Sequence, residues 1–479
     1  MSNQSRRDFV KKAAIAAGAF YIVPRHVLGK GHIAPSDKLN ILGVGGGGKG
    51  YGDIMSSYKG GAENIVGVVD VDDRQLGRIK EKLPSGTQYY KDFRVALDKL
   101  GSSVDAVIVS TPDNTHATIA MESMGRGKHV YVQKPLTHDI YEARMLTEKA
   151  RQMKVVTQMG NQGASNDGVR QMIEWFDDGI IGTVNEVRVW TNRPVWPQGI
   201  PYPREAQPVP KELDWDLWLG PAPYREYNSA LLPFKWRGWW DYGTGALGDM
   251  GCHLLDAPFQ VLGIRDAKDV ECSVGAVFLK DWTPEWIPEG CPPSSMVTLN
   301  YGASERNKSN VKLTWYDGGL RAPHPEGIPS SEIIGEEDGS NGVILMGSKG
   351  IMTCATYSID PKVYIDGKRV PNQDLPNKIK IPRVKDGSGG HNYQWVEACK
   401  AGFGNMNVSS PFDYAGPFTE SVLMGNLAIR SYMLRENNDP KGKFIGRQKL
   451  LWDAKNMRIT NFEPANQFVK REYREGWKL

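Results

Sequence analysis

Leu39-Asn-Ile-Leu-Gly43-Val-Gly45-Gly46-Gly47-Gly48 is an apolar run that breaks into a glycine cluster, and Ile65-Val-Gly-Val-Val-Asp70 is a second apolar run that ends in an acid. The first reads as a buried strand feeding a tight turn, with Gly43, Gly45 and Gly48 in a GxGxxG spacing and a helix expected over 51–58. A second register, Gly45, Gly47 and Gly50, fits the same glycines. Glycines at such a turn let backbone N–H groups approach a pyrophosphate at a helix N-terminus. Asp70 falls 22 residues after Gly48, where a carboxylate accepts the hydroxyls of a ribose. With Asp72 and Asp73 close behind, it would repel a 2′-phosphate, so NAD is expected rather than NADP.

Outward from this pair the pattern repeats. Val104-Asp-Ala-Val-Ile-Val, His129-Val-Tyr-Val and Val155-Val-Thr-Gln read as further buried parallel strands, with helices expected over 73–83 and 137–152. The expectation is an N-terminal Rossmann, doubly wound domain over 36–158. From about 184 the texture turns to alternation: Val184-Asn-Glu-Val-Arg-Val-Trp, Asp269-Val-Glu-Cys-Ser-Val, Ser295 to Tyr301, Asn310 to Tyr316, and Gly342 to Cys354 with a Gly-Ser-Lys-Gly turn. Alternation predicts a C-terminal α/β domain over 159–479 with a large, mostly antiparallel, open-faced sheet. Its open face is the expected contact of a homo-dimer or homo-tetramer. Helices are expected over 392–401 and 416–435. Residues 190–240 hold nine of the 30 prolines and seven of the 14 tryptophans, which predicts a long semi-rigid loop.

Composition bounds the function. The net charge is +4, charged residues make up 24% and hydrophobic residues 40% of the chain, and no basic block suggests nucleic acid. Five cysteines without CxxC spacing predict no metal site. Ser5-Arg6-Arg7-Asp8-Phe9-Val10-Lys11, followed by a short apolar core, reads as a twin-arginine leader over 1–35. It implies export of the folded protein to the periplasm by the twin-arginine machinery, with a membrane tether if the leader is not cleaved. A periplasmic dehydrogenase lacks a pool of free NAD, so a tightly bound, internally recycled cofactor is expected.

Three clusters carry candidate chemistry. Ser110-Thr111-Pro112-Asp-Asn114-Thr-His116 and Tyr131-Val-Gln133-Lys134-Pro135 follow strands at their carboxyl ends, where ligands bind in such sheets. Asp241-Tyr242-Gly-Thr-Gly-Ala-Leu-Gly248-Asp249-Met-Gly251-Cys-His253 puts Asp249 and His253 at i and i+4 of a helix expected to begin near Ala246. Oxidation of a secondary alcohol needs the hydroxyl proton removed, which suits a histidine.

The order of glycine loop, Asp70, Thr111-Pro112, Lys134-Pro135 and Asp249-x-x-x-His253 resembles the Gfo/Idh/MocA family of sugar and inositol oxidoreductases. The tail, Phe412-Asp-Tyr-Ala-Gly-Pro-Phe-Thr-Glu and Tyr473-Arg-Glu-Gly-Trp477, resembles its exported branch. The resemblance implies a catalytic trio of Lys134, Asp249 and His253. It implies cofactor contacts from Gly43, Gly45, Gly46, Gly48, Asp70, Thr111, Pro112, Asn114, His116, Lys134 and Asn161. Arg193 and Tyr242 join the trio as expected substrate contacts. Gln133 departs from the family's usual Glu. The implied activity is oxidation of a sugar or glycoside hydroxyl, with a 3-keto-glycoside as one implied product. Its alternative is a redox-neutral glycosidase that oxidises, eliminates and re-reduces, and a further alternative is an exported carbohydrate-binding protein without turnover.

Overall fold

In a computed structural model, which describes residues 37–479, six parallel strands form the first sheet: β1 Asn40–Val44, β2 Asn64–Val69, β3 Gln88–Tyr90, β4 Ala106–Val109, β5 His129–Val132 and β6 Thr157–Met159. Their order is β3-β2-β1-β4-β5-β6. The strand order reverses between β1 and β4, which opens a crevice at the carboxyl ends. The central strands are apolar throughout because helices cover both faces: Ile41, Leu42, Val107 and Ile108 are fully buried. The expected twin-arginine leader over 1–35 lies outside the described residues.

The helices show which local signals hold. The helix Ile140–Met153 starts at a capping box, in which Asp139 accepts from the Glu142 N–H and Glu142 reaches back. The helix expected over 73–83 is absent as such. A 3-10 turn, Asp73–Gln75, and a single helical turn, Gly77–Lys80, take its place. Asp72 caps the first of these, and Gly77 and Pro84 deprive the segment of propagating residues. The helix expected from Gly416 runs over Phe412–Tyr432 with Pro417 inside it. Pro417 has no N–H for the Asp413 carbonyl, which accepts from Arg265 Nη1 at 3.5 Å instead.

The second sheet has ten strands: β7 Val184–Trp190, β8 Ala267–Val274, β9 Ser295–Tyr301, β10 Val311–Tyr316, β11 Gly342–Gly347, β12 Ile351–Cys354, β13 Lys362–Ile365, β14 Lys368–Val370, β15 Leu450–Asp453 and β16 Arg458–Ile459. The order is β14-β13-β12-β11-β7-β10-β9-β8-β15-β16, antiparallel except between β7 and β10. Val187, Val189, Leu313, Trp315 and Leu299 point to the helix-covered core. The other face is less open than alternation suggests. Ile328 and Ile334, in the segment between β10 and β11, pack on Trp190, Ile344, Ile351 and Tyr364.

The division at 158 does not separate the cores. The helix His391–Ala401 returns to the first domain, where Trp395 packs edge-on to Tyr131 at 5.7 Å and shares a core with Ile41 and Ile54. Residues 190–240 contain one short helix, Trp215–Leu219, and two 3-10 turns, as the density of proline implies.

Candidate active site

A cavity of about 530 Å³ follows the carboxyl ends of the parallel strands, within the range of cofactor and substrate sites. Its floor is the glycine loop, and the backbone uses the register Gly45, Gly47, Gly50. Gly45 has φ +90°, and a Cβ there would lie 2.5 Å from the Ser110 carbonyl oxygen. Gly47 is the N-cap of the helix Gly48–Tyr58 and lines the cavity, with no side chain capping the helix. A Cβ on Gly50 would stand 2.0 Å from the Gly45 carbonyl oxygen, so only glycine lets the helix seat on the turn. Gly43 serves packing instead: a Cβ there would meet Ile54 Cδ1 at 2.4 Å. Gly45 and Gly48 line the cavity, whereas Gly46 spends its N–H on Asp70 Oδ2 at 2.9 Å. Cavity-facing backbone, a helix N-terminus and a cradle without Cβ atoms fit a pyrophosphate.

Asp70 lines the cavity beside the loop, where burial pushes its carboxyl up to about 6. Hydroxyl donors are the partners that would return it to the carboxylate form. The neighbouring cations are engaged elsewhere. Arg74 donates to both oxygens of Asp72, at 2.7 and 2.6 Å, and Lys91 pairs with Asp73 at 3.1 Å.

At the other end stand Lys134, Asp249 and His253. The helix Gly245–Leu254 puts Asp249 and His253 one turn apart, and Lys134 Nζ donates to the Asp249 carbonyl at 2.6 Å and to Oδ1 at 2.7 Å. Burial alone would raise the Asp249 carboxyl, but the Lys134 ammonium and the Arg237 guanidinium, 3.3 Å away, hold it at about 2. The His253 imidazole is kept well below its ordinary range by burial and by Lys134. It is therefore neutral near pH 7, and its buried Nδ1 has no hydrogen-bond partner among the described residues. The Tyr357 ring meets it edge-on at 4.7 Å, on a backbone at φ +60°. Lys134 and His253 line the cavity, and Asp249 stands just behind Lys134. The arrangement provides a neutral proton acceptor beside a cation that favours an oxyanion.

Gln133 has a structural account. Its Nε2 donates to Asp53 Oδ2 at 2.8 Å, and Ser110 Oγ donates to the same oxygen at 2.9 Å. Asp53 is fully buried in the helix after the glycine loop and also pairs with Lys49. A glutamate at 133 would set two carboxylates against each other. The negative charge expected at 133 thus sits at 53, on a neighbouring element.

Thr111 and Pro112 line the cavity, but several other expected contacts do not. Asn114 is buried, with Nδ2 on the Leu219 carbonyl at 2.9 Å. His116 has its two ring nitrogens on the Pro135 and Thr111 carbonyls, at 2.8 and 2.9 Å, and so braces the two cavity turns from behind. Asn161 points inward to Asp256 at 3.1 Å, while the next residue, Gln162, lines the cavity. Tyr242 is buried against Tyr202, and its ring supports Trp218 at 4.9 Å. Arg193 stands off the wall and acts on His253 by charge alone. Sequence reading passed over Asp113, Trp218, Arg237 and Tyr357, all of which line the cavity. Asp113 sat inside a quoted motif; the other three come from segments that only the tertiary fold brings here. Among the described residues no group of His, Cys, Asp and Glu is placed to hold a metal ion.

A glycine-loop Rossmann domain is joined to an α/β domain, with a lysine, an aspartate and a histidine at the seam. Residues 38–161 match the family described as oxidoreductase, NAD-binding Rossmann fold, and residues 178–281 match its C-terminal alpha/beta domain. The chain belongs to the Gfo/Idh/MocA oxidoreductase family. It is 25% identical over 225 residues to a glucose-6-phosphate 3-dehydrogenase of Bacillus subtilis, covering 46% of this chain and 52% of that protein. It is 26% identical over 152 residues to an inositol 2-dehydrogenase/D-chiro-inositol 3-dehydrogenase of Lacticaseibacillus casei, covering 32% and 43%. A glycosyl hydrolase family 109 protein of a Shewanella species is 31% identical over 172 residues, covering 31% and 38%. The chain thus spans about half the length, or less, of these curated relatives. Among solved structures, an aldose-aldose oxidoreductase from Caulobacter crescentus shares the fold with a TM-score of 0.54 and 15% identity, over 82% of this chain and 98% of that one. An inositol dehydrogenase homolog from Azotobacter vinelandii, in complex with NADH and myo-inositol, does so with 0.54 and 17%, over 82% and 95%.

Proposed function

We propose that this protein oxidises a secondary hydroxyl of a sugar or glycoside with a tightly held NAD, after export through the twin-arginine pathway. The observation that carries the reading is a neutral His253 in the wall of the cavity that begins at the glycine loop, beside the Lys134–Asp249 pair. The glycine loop would hold the pyrophosphate and Asp70 the adenosine ribose. Engagement of Arg74 and Lys91 by other acids favours NAD over NADP. Bound nicotinamide supplies the two-electron acceptor, restored by a second carbonyl or by the same molecule.

The residues divide the remaining work. His253 takes the hydroxyl proton. The Lys134 ammonium stabilises the oxygen as negative charge builds on it, and Asp249 with Arg237 fixes the lysine's position. Proton acceptance of this kind contributes about 10²- to 10⁴-fold in rate. A redox-neutral glycosidase is the second reading, supported by the 31% identity to a glycosyl hydrolase family 109 protein.

The test is to denature the purified protein, identify the released nucleotide, and screen glycosides for absorbance at 340 nm. A stoichiometric keto-sugar supports the dehydrogenase, and free aglycone with unchanged sugar supports the glycosidase. His253→Ala should lose at least 100-fold in turnover with nucleotide still bound. Unchanged turnover would remove His253 as the base.

A further inference from the structure

The C-terminal tail returns to the nucleotide cavity and is locked there. Arg471 N donates to Asp139 Oδ2 at 3.1 Å, its Nε and Nη2 donate to Glu142 Oε1 at 2.9 and 2.6 Å, and Nη2 also donates to the Asn114 carbonyl at 2.6 Å. Tyr473 OH donates to the same Glu142 oxygen at 2.6 Å. Glu142 is 1% exposed, so this anchor holds a buried charge that would be costly to leave unpaired. Arg474 then ties down the tryptophan-rich loop. Its N–H donates to the Pro221 carbonyl at 3.1 Å and Nη2 to the Gly220 carbonyl at 3.0 Å, and it pairs with Asp216. Leu217 and Trp218, in the helix so held, line the cavity. One turn further on, Trp477 lines it too, with its ring 6.3 Å from Phe93 and the Arg94 guanidinium 4.7 Å from its centre.

The sheet order says which end this is. Lys134 follows β5 and Phe93 follows β3, with β4, β1 and β2 between them. Four intervals of ~4.8 Å give ~19 Å, the reach of an extended dinucleotide. With the reacting carbon at Lys134 and His253, and the ribose at Asp70, the far base falls at Phe93 and Trp477.

We propose that residues 470–479 form a cofactor strap. Trp477 supplies the stacking face for the adenine ring, and Arg471 and Arg474 hold tail and loop over it, so that the nucleotide leaves slowly. This rests on the reading of the cavity as a dinucleotide site. Arg471, on the buried Glu142, and Arg474, at the edge of the tryptophan-rich loop, thus fix the tail on both sides of Tyr473 and set Trp477 in the cavity wall.

The experiment measures release of bound NAD from the holoprotein into nucleotide-free buffer, for wild type, Trp477→Phe and Trp477→Ala. Aromatic stacking on a base is worth about 1–3 kcal/mol, so Trp477→Ala should release NAD about 5- to 150-fold faster, with Trp477→Phe close to wild type. ADP-ribose, which keeps the adenine and lacks nicotinamide, should lose affinity by the same factor. Equal release from wild type and Trp477→Ala, or an effect on NAD without one on ADP-ribose, would overturn the strap. Should Trp477→Ala fail to fold, tryptic cleavage of the wild-type tail at Lys470, Arg471 and Arg474 decides: added NAD should slow it several-fold, and equal cleavage with and without NAD counts against the proposal. Wild type that carries no adenine nucleotide and takes up none would instead refute the dinucleotide reading itself.

Discussion

At the scale of single residues, the departure at Gln133 shows how a charge can move without leaving a site. The amide of Gln133 and the hydroxyl of Ser110 both serve one buried carboxylate, Asp53. Gln133→Glu replaces a donor with a second anion and should cost about 1–3 kcal/mol, read from urea midpoints at neutral pH. Gln133→Glu combined with Asp53→Asn restores a single carboxylate facing an amide, and should recover most of that loss. Strictly additive losses in the two single variants and the pair would show that the two residues do not act on each other. Gln133 was visible in the sequence as an oddity; its reason was not, because Asp53 lies 80 positions away.

At the scale of elements, the turn from β1 into the helix Gly48–Tyr58 separates glycines with different tasks. A Cβ at Gly50 would meet the Gly45 carbonyl oxygen at 2.0 Å and Ser110 Cβ at 3.1 Å, whereas one at Gly52 meets nothing within 4 Å. Gly50→Ala should therefore push the helix off the turn, costing about 1–3 kcal/mol and most of the retained nucleotide. Gly52→Ala should stabilise by about 0.5–1 kcal/mol through helix propensity. Thermal melts and bound-nucleotide content check both, and equal effects of the two substitutions would contradict the register assigned here. Strand positions and the Asp249–His253 turn were legible because periods of 2 and 3.6 are local. The register of the glycine loop was not: two spacings fit equally, and only the packing of helix on turn selects one.

At the scale of the whole molecule, the two domains are joined by the helix His391–Ala401, which returns from the second to the core of the first. His391 is buried at its start, with Ser165 Oγ 2.6 Å from Nδ1 and the Met159 carbonyl 2.8 Å from Nε2, and burial pulls its imidazole down to about 4. The unfolded chain takes up this proton near pH 6.5 and the folded chain does so only near 4. His391 thus costs nothing above pH 6.5 and withdraws stability progressively as the pH falls from 6.5 to 4. Between pH 7.5 and 5 the loss is about 2 kcal/mol. His391→Gln should remove that share of the pH dependence in urea unfolding, and parallel curves for variant and wild type would exclude it.

The parallel strands on either side of the glycine loop, the alternating texture of the second domain and the Asp249–His253 helical turn follow from the sequence by itself, because each rests on neighbours a few positions apart; Lys134 joined that pair only through the family resemblance, and the short β3, Gln88–Tyr90, was not legible. The tertiary structure alone decided which glycines form the cradle, that Asn114, His116, Asn161 and Tyr242 are bracing and not wall, and that Tyr357, Arg237 and Trp477 are wall. Those assignments depend on contacts between separate elements, the farthest of them Phe93 with Trp477. Local periodicity carries no record of such contacts, because burial of one element against another is fixed only when the chain closes on itself.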